Sequence, residues 1–194
     1  DVYKRQQLNG AVKQYDGTNK TPVTLNLTNN TTWDLVDNSE VTDLHLNNSA
    51  VSLTNTNAPY ATLTITGNLT GSGIFNLNTN IAENKSDKIV VKGTAEGNHK
   101  IGVTNQGANV ANGKVTLVET NGGNAAFSLT NPNNRVDLGA YQYFLTKEGN
   151  NWVLANSKNV VTPTPPVAPV TPSKPVVTPS KPAVTPSTCL LYTS

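Results

Sequence analysis

The chain is expected to fold as an all-β solenoid, and three observations point there. Apolar residues alternate at i and i+2 in many short runs, Asn, Gly and Thr turns separate the runs, and comparable runs recur at intervals of roughly twenty residues. The runs include Val23, Leu25 and Leu27, then Leu44 and Leu46, then Val51 and Leu53, then Leu63 and Ile65. Phe75 and Leu77, Ile89 and Val91, Ile101 and Val103, and Val115 and Leu117 continue the series. Alternation of this kind places apolar side chains on one face of a strand. No stretch has the i, i+3, i+4, i+7 spacing of an amphipathic helix. A sandwich would join strands of similar length by tight hairpins, whereas a twenty-residue recurrence is the mark of stacked coils, each covering its neighbour. Asn47, Asn48, Asn55 and Asn57 stand where a coil must turn a left-handed corner, a conformation Asn tolerates.

Composition agrees. Only 13% of the 194 residues are charged, against about 25% in ordinary globular domains, and Asn, Thr, Gly and Ser take their place. That balance suits an extracellular all-β protein. Fourteen basic and twelve acidic residues, spread along the chain, make no patch for nucleic acid. The single cysteine, Cys189, permits no internal disulfide, and a solenoid core that continues from coil to coil needs none. No apolar run reaches the ~18 residues of a membrane-spanning helix. With no methionine, the chain is expected to begin inside a longer reading frame, with any signal peptide upstream. Residues 1–7 and 188–194 match nothing around them and are expected to be non-native, adaptor-derived ends.

Two regions remain. Residues 8–157 hold the strand signals, and residues 158–187 are rich in proline, with nine of the twelve prolines between Pro163 and Pro186. The motif VTPSKP occurs at 170–175 and 177–182, and VTPS follows at 184–187. Proline at this density favours an extended, disordered polyproline spacer, about 85 Å long over residues 160–187 at ~3.1 Å per residue. Before it, residues 136–146, a turn at 147–151 and residues 152–154 read as an antiparallel hairpin. Its aromatics Tyr141, Tyr143, Phe144 and Trp152 are dense for a chain that is 6% aromatic. A bare solenoid end offers unpaired strand edges, so this hairpin is expected to be a cap. The expected core and cap residues are therefore Trp33, Leu63, Ile65, Phe75, Leu77, Ile89, Val91, Tyr141, Tyr143, Phe144 and Trp152, with Trp152 packed on Tyr141 or Tyr143.

The order of several blocks resembles one family. The stretches YATLTITGNLTGSGIFNL at 60–77, SDKIVVKGTAEGNH at 86–99, LVET at 117–120, VDLGAYQYFL at 136–145 and WVL at 152–154 follow the pattern of the pertactin-like passenger domain of bacterial type V autotransporters. Each block alone is weak; five in order are specific, and with Trp33, Val41, Leu44 and Leu46 fitting the coil just upstream the match covers roughly residues 31–156. The resemblance implies a right-handed parallel β-helix at the outer-membrane surface of a Gram-negative-type bacterium, or secreted after cleavage. It also implies that the proline-rich linker leads to the chain's own β-barrel translocator. The end of the passenger would then be a folding nucleus, or autochaperone, and a non-catalytic stem. An adhesin surface contacting host or bacterial cells is the alternative, and a carbohydrate-active β-helix enzyme the remote one.

Residues with chemical potential read more plainly as structure. Asp34, Asp37, Glu40 and Asp43 cluster in sequence, as glycoside chemistry would need, but solvated turns explain them. His45 alternates with Leu44 and Leu46 and so points to solvent. Two histidines and no usable cysteine supply no metal site. The row Thr62, Thr64, Thr66 reflects β-propensity. Sequons at Asn26, Asn29, Asn30, Asn47, Asn68 and Asn84 follow from composition. No cofactor is expected, and the chain is expected to be monomeric.

Overall fold

A computed structural model describes residues 2–4, 7–13 and 21–156. The expected linker, the expected non-native ends apart from residues 2–4 and 7, and Cys189 lie outside the described residues. The described part is a right-handed parallel β-helix of about five coils closed by antiparallel strands.

Each coil contributes a strand or strand pair to two facing sheets. The first sheet stacks β1 (Val2–Lys4) with β2 (Gln7–Asn9), β3 (Thr24–Thr28) with β4 (Thr32–Asp34), and then β6 (Asp43–Ser52), β8 (Leu69–Asn80), β11 (Asn98–Asn105) and β13 (Ala126–Leu129). The second stacks β5 (Ser39–Val41), β7 (Thr62–Ile65), β10 (Lys88–Val91) and β12 (Lys114–Thr120), and a short β9 (Lys85–Ser86) turns back on β8. All coil-to-coil pairings are parallel. The β1 strand pairs with β3, so the solenoid continues above the expected boundary at residue 8.

Register turns the period-two pattern into columns. In the first sheet Trp33, Val51, Phe75, Ile101 and Leu129 stand one above the next. In the second, Leu63 stacks on Ile89 and Ile65 on Val91. All of these are buried, and the column of Leu25, Leu44 and Leu69 joins the same core. Inward residues meet their own kind because parallel stacking repeats each position at the same height.

The expected twenty-residue repeat is corrected here. Leu44 and Leu63 belong to different sheets: Leu44 stacks on Leu69, and Leu63 on Ile89. A coil therefore spans about 25 residues in the middle of the molecule, while Leu25 to Leu44 is a shorter one. Each coil produces two strand signals, and neighbouring signals alternate between the sheets.

The corners use asparagine and glycine. Among the described residues, every non-glycine with positive φ is an asparagine: Asn29, Asn30, Asn48, Asn84, Asn133 and Asn134. Of the four expected corner residues only Asn48 is left-handed; Asn47 continues β6, and Asn55 and Asn57 turn without it. Gly71 and Gly97, at φ +87° and +90°, stack at one corner. A Cβ on Gly97 would stand 1.7 Å from the Gly71 carbonyl oxygen, so only glycine fits.

Candidate functional site

The C-terminal end departs from the coil rule. After β13 the chain forms β14 (Val136–Leu138), β15 (Tyr141–Glu148) and β16 (Asn151–Asn156), an antiparallel meander added to the second sheet through β16 on β12. The expected hairpin is β15 with β16, but it starts later than the sequence suggests. Gly139, at φ +62°, breaks residues 136–146 into two strands, and β15 runs on to Glu148 before turning at Gly149.

That turn sets what Trp152 meets. It pairs Glu148 with Asn151 and Lys147 with Trp152, leaving Tyr143 opposite Asn156 and Tyr141 opposite Leu138. The expected partner is corrected: the ladder sets Trp152 opposite Lys147, and its ring partner is Phe127 and neither tyrosine. Its ring lies 5.4 Å from Phe127, Phe127 lies 5.4 Å from His99, and His99 lies 5.8 Å from Phe75. The rings make a column from the cap into the third-last coil of the first sheet. Tilted contacts at these spacings are favourable beyond their buried area. Lys147 Nζ covers the outer ring, 5.9 Å from its centre.

Tyr143 is fully buried and acts as a latch. Its hydroxyl donates to the Val110 carbonyl and accepts the Gly113 N–H at 3.2 Å. Asn156 Nδ2 donates to the Ala111 carbonyl. Two cap side chains thereby hold the loop before β12. Phe144 is half-buried, and Tyr141 is 37% exposed. Lys114 to Glu148 at 2.6 Å ties β12 to β15, and Lys88 to Glu119 at 2.7 Å ties β10 to β12.

Two buried polar groups were not singled out by composition or periodicity, although both lie in the 86–99 motif. Asp87 accepts the Ala61 N–H at 2.8 Å on Oδ1 and the Asn78 N–H at 2.6 Å on Oδ2, stapling adjacent coils. Burial pushes its carboxyl up, and those two hydrogen bonds act against the shift. His99 is 1% exposed; Nε2–H donates to the Glu96 carbonyl at 2.8 Å, while Nδ1 has no partner. Burial pushes the imidazole down from its ordinary value, so it sits in the ring column as a neutral group.

The sequence-local carboxylates disperse. Asp34 receives Gln7 Nε2 at 2.8 Å on the first sheet, Asp37 pairs with Lys13 at 3.0 Å, Glu40 lies on the second sheet, and Asp43 receives the Asn68 N–H at 2.8 Å. His45 points outward, with Nδ1 2.9 Å from Thr70 Oγ1. Among the described residues, no three His, Cys, Asp or Glu side chains group to hold a metal ion.

The family model for pertactin matches residues 41–156. A probable autotransporter of Escherichia coli, YpjA, is 43% identical over 125 residues, covering 63% of this chain and 8% of that protein. The pertactin autotransporter of Bordetella parapertussis is 37% identical over 134 residues, 66% of this chain and 14% of its own length. The Haemophilus influenzae Hap adhesin superimposes with a TM-score of 0.67 at 29% identity, over 80% of this chain and 17% of the other. The chain thus corresponds to a small part of each of these proteins. It belongs to the pertactin family, as an autotransporter passenger domain of the kind displayed on the outer membrane or secreted after cleavage.

Proposed function

We propose that this chain is the non-catalytic C-terminal stem and folding nucleus of its passenger, with residues 60–156 as the part that folds first. The observation that carries this reading is the closed end: the Trp152–Phe127–His99–Phe75 column and the Tyr143 latch give the last coils contacts found in no earlier coil among the described residues. A solenoid propagates coil by coil from whichever part is stable alone. If the C-terminal end emerges first and folds, each later coil finds a ready edge on which to pair. Folding outside the cell would then draw the remaining chain outward, and the partner implied is the chain's own β-barrel translocator. In cells carrying the full gene, Trp152→Ala should reduce surface display or leave the passenger open to added protease. Unchanged display and unchanged protease resistance would remove the folding role.

An adhesive reading is compatible with the stem. Two relatives carry adhesin in their names, TibA of Escherichia coli and Hap of Haemophilus influenzae. What favours contact by this chain itself is the uneven chemistry of its two outer faces.

A further inference from the structure

The outward face of the second sheet carries charge: Glu40, Lys88, Glu119, Lys114 and Glu148 line it, mostly as ion pairs. The first sheet does not. From β6 to β13 its outward positions are mostly amides, hydroxyls and small residues; the exceptions are Asp43, His45, Ile74 and Lys100, with Lys85 on the short β9. On this face lie two neighbouring hollows, of about 500 and about 390 Å³. Small-molecule sites occupy about 300–1,000 Å³.

The larger hollow crosses four coils, from Asn30 through Asn48 and Ser72 to Asn98. Coils are spaced about 4.8 Å apart, so it runs about 14 Å along the solenoid axis. Its shape comes from a bulge. The register of β6 slips between Asn47 and Ser49, and left-handed Asn48 stacks its amide on Asn30, Nδ2 to Oδ1 2.9 Å. The β8 strand beneath turns the same corner at Gly71 without the extra residue, which leaves a step. Bulges of this kind re-aim side chains beside binding sites. Ile74, 37% exposed, and Lys100 stand in register on its other side. The smaller hollow opens next to them at Gly102. A Cβ there would stand 2.6 Å from Asn76 Oδ1 and 3.0 Å from Thr130 Oγ1, so bare glycine lets these two polar atoms converge.

We propose that this groove binds a short acidic oligosaccharide along the solenoid axis, with a carboxylate at Lys100 and sugar hydroxyls on the flanking amides and hydroxyls. The other ligand classes fit less well. An added peptide strand needs a free sheet edge, but here the backbone groups are spent in the ladder and only side chains face out. A protein partner would want an apolar centre, and Ile74 is the one large exposed apolar side chain on this face. Nucleic acid would need several cations, and the groove has one. A polyhydroxylated ligand instead finds donors and acceptors repeated coil after coil. Among the described residues Lys100 forms no ion pair, so a carboxylate can claim it in a charge-assisted bond.

The inference deepens the adhesive reading and is independent of the folding role. The test is an NMR titration of the full chain, ¹⁵N-labelled, with a trimeric oligouronate and with a neutral glucose trimer. The oligouronate should bind with a Kd of about 1 mM or tighter, shifting amides at 72–76 and 98–104, and the neutral trimer about tenfold more weakly. Lys100→Gln should bring the oligouronate to the neutral level, Ser72→Glu should abolish its binding, and Lys92→Gln should change nothing. Unchanged amide spectra of these variants elsewhere in the chain show that the fold is kept. No saturable shift, shifts on the second sheet, equal binding of both trimers, or equal weakening by Lys92→Gln and Lys100→Gln would each overturn the groove. Normal display of a chain that binds neither trimer would remove the sugar site and leave the folding role standing.

Discussion

The parallel coils and the antiparallel cap bury similar apolar residues by different means. In the coils, each inward residue meets a like residue one coil away, as in the column Trp33, Val51, Phe75, Ile101 and Leu129. Any coil can stand for any other, and nothing in that pattern says where the stack ends. In the cap the pairing direction reverses at β12, where β16 runs antiparallel across a bulge between Thr116 and Val118. Specific side chains replace repetition: the ring of Trp152, the hydroxyl of Tyr143, the amide of Asn156. The exposed edges that remain are short, three residues in β14 and four in β13, and short edges resist further pairing. Repetition builds length; singular contacts give the stack a defined and stable end.

The largest way to break the comparison is within the coils. Phe75→Ala, at a fully buried ring that belongs to both the stack and the aromatic column, should destabilise by about 3–5 kcal/mol in urea unfolding. A loss under about 1 kcal/mol would mean that the column carries little. In the cap, Trp152→Ala should cost about 2–3 kcal/mol, since the indole is half-buried and loses the Phe127 contact. Tyr143→Phe keeps the ring and deletes the latch, leaving the Val110 carbonyl and Gly113 N–H without that partner. About 1–2 kcal/mol should be lost, with faster amide exchange confined to residues 108–114. Smallest of all, Thr64→Ala on the outer face of β7 should cost well under about 1 kcal/mol.

Acid sharpens the contrast between buried polar groups. His99 has its folded pKa pushed below the ordinary 6.5, so the unfolded chain takes the proton first. Stability is intact above about pH 6.5 and falls as pH drops through that value toward the folded pKa. The strands packed against the ring carry no titratable side chain in β8, β13 or β16, and Glu96 directs Oε2 to the Asn124 N–H at 3.1 Å. Asp87 works in the opposite sense. Its folded pKa lies above the ordinary 3.8, so its contribution is full below that value and declines as pH rises through the folded pKa. Urea midpoints of His99→Leu should therefore depend less on pH between about 5 and 7 than those of the parent chain. An identical slope in both would show that the imidazole is not the acid-sensitive group.

Much of the coil core is legible in the sequence because period two needs only local information. Leu63, Ile65, Phe75, Leu77, Ile89 and Val91 alternate with polar neighbours and lie buried in one cluster. Which strand stacks on which is not local. It depends on coil length, and this changes from the Leu25–Leu44 step to the Leu44–Leu69 step. The partner of Trp152 depends on the register of one turn at Gly149, so the sequence reading joined the right residues to the wrong neighbours. Gly139-Ala140 is a weak turn signal, so the third strand was hidden inside an apparently continuous run. His99 and Asp87 were not singled out because nothing short of the assembled coils tells a buried imidazole or carboxylate from a solvated one. The groove on the first sheet arises from a bulge and a bare glycine, features that periodicity does not register.

The central claim is that the two ends of the domain differ in autonomy, and it is tested by expressing residues 60–156 and residues 8–57 as separate chains. The account predicts a cooperative urea transition with β-type circular dichroism for 60–156, and no transition for 8–57, whose coils lack the cap. A folded 8–57 beside an unfolded 60–156 would contradict it.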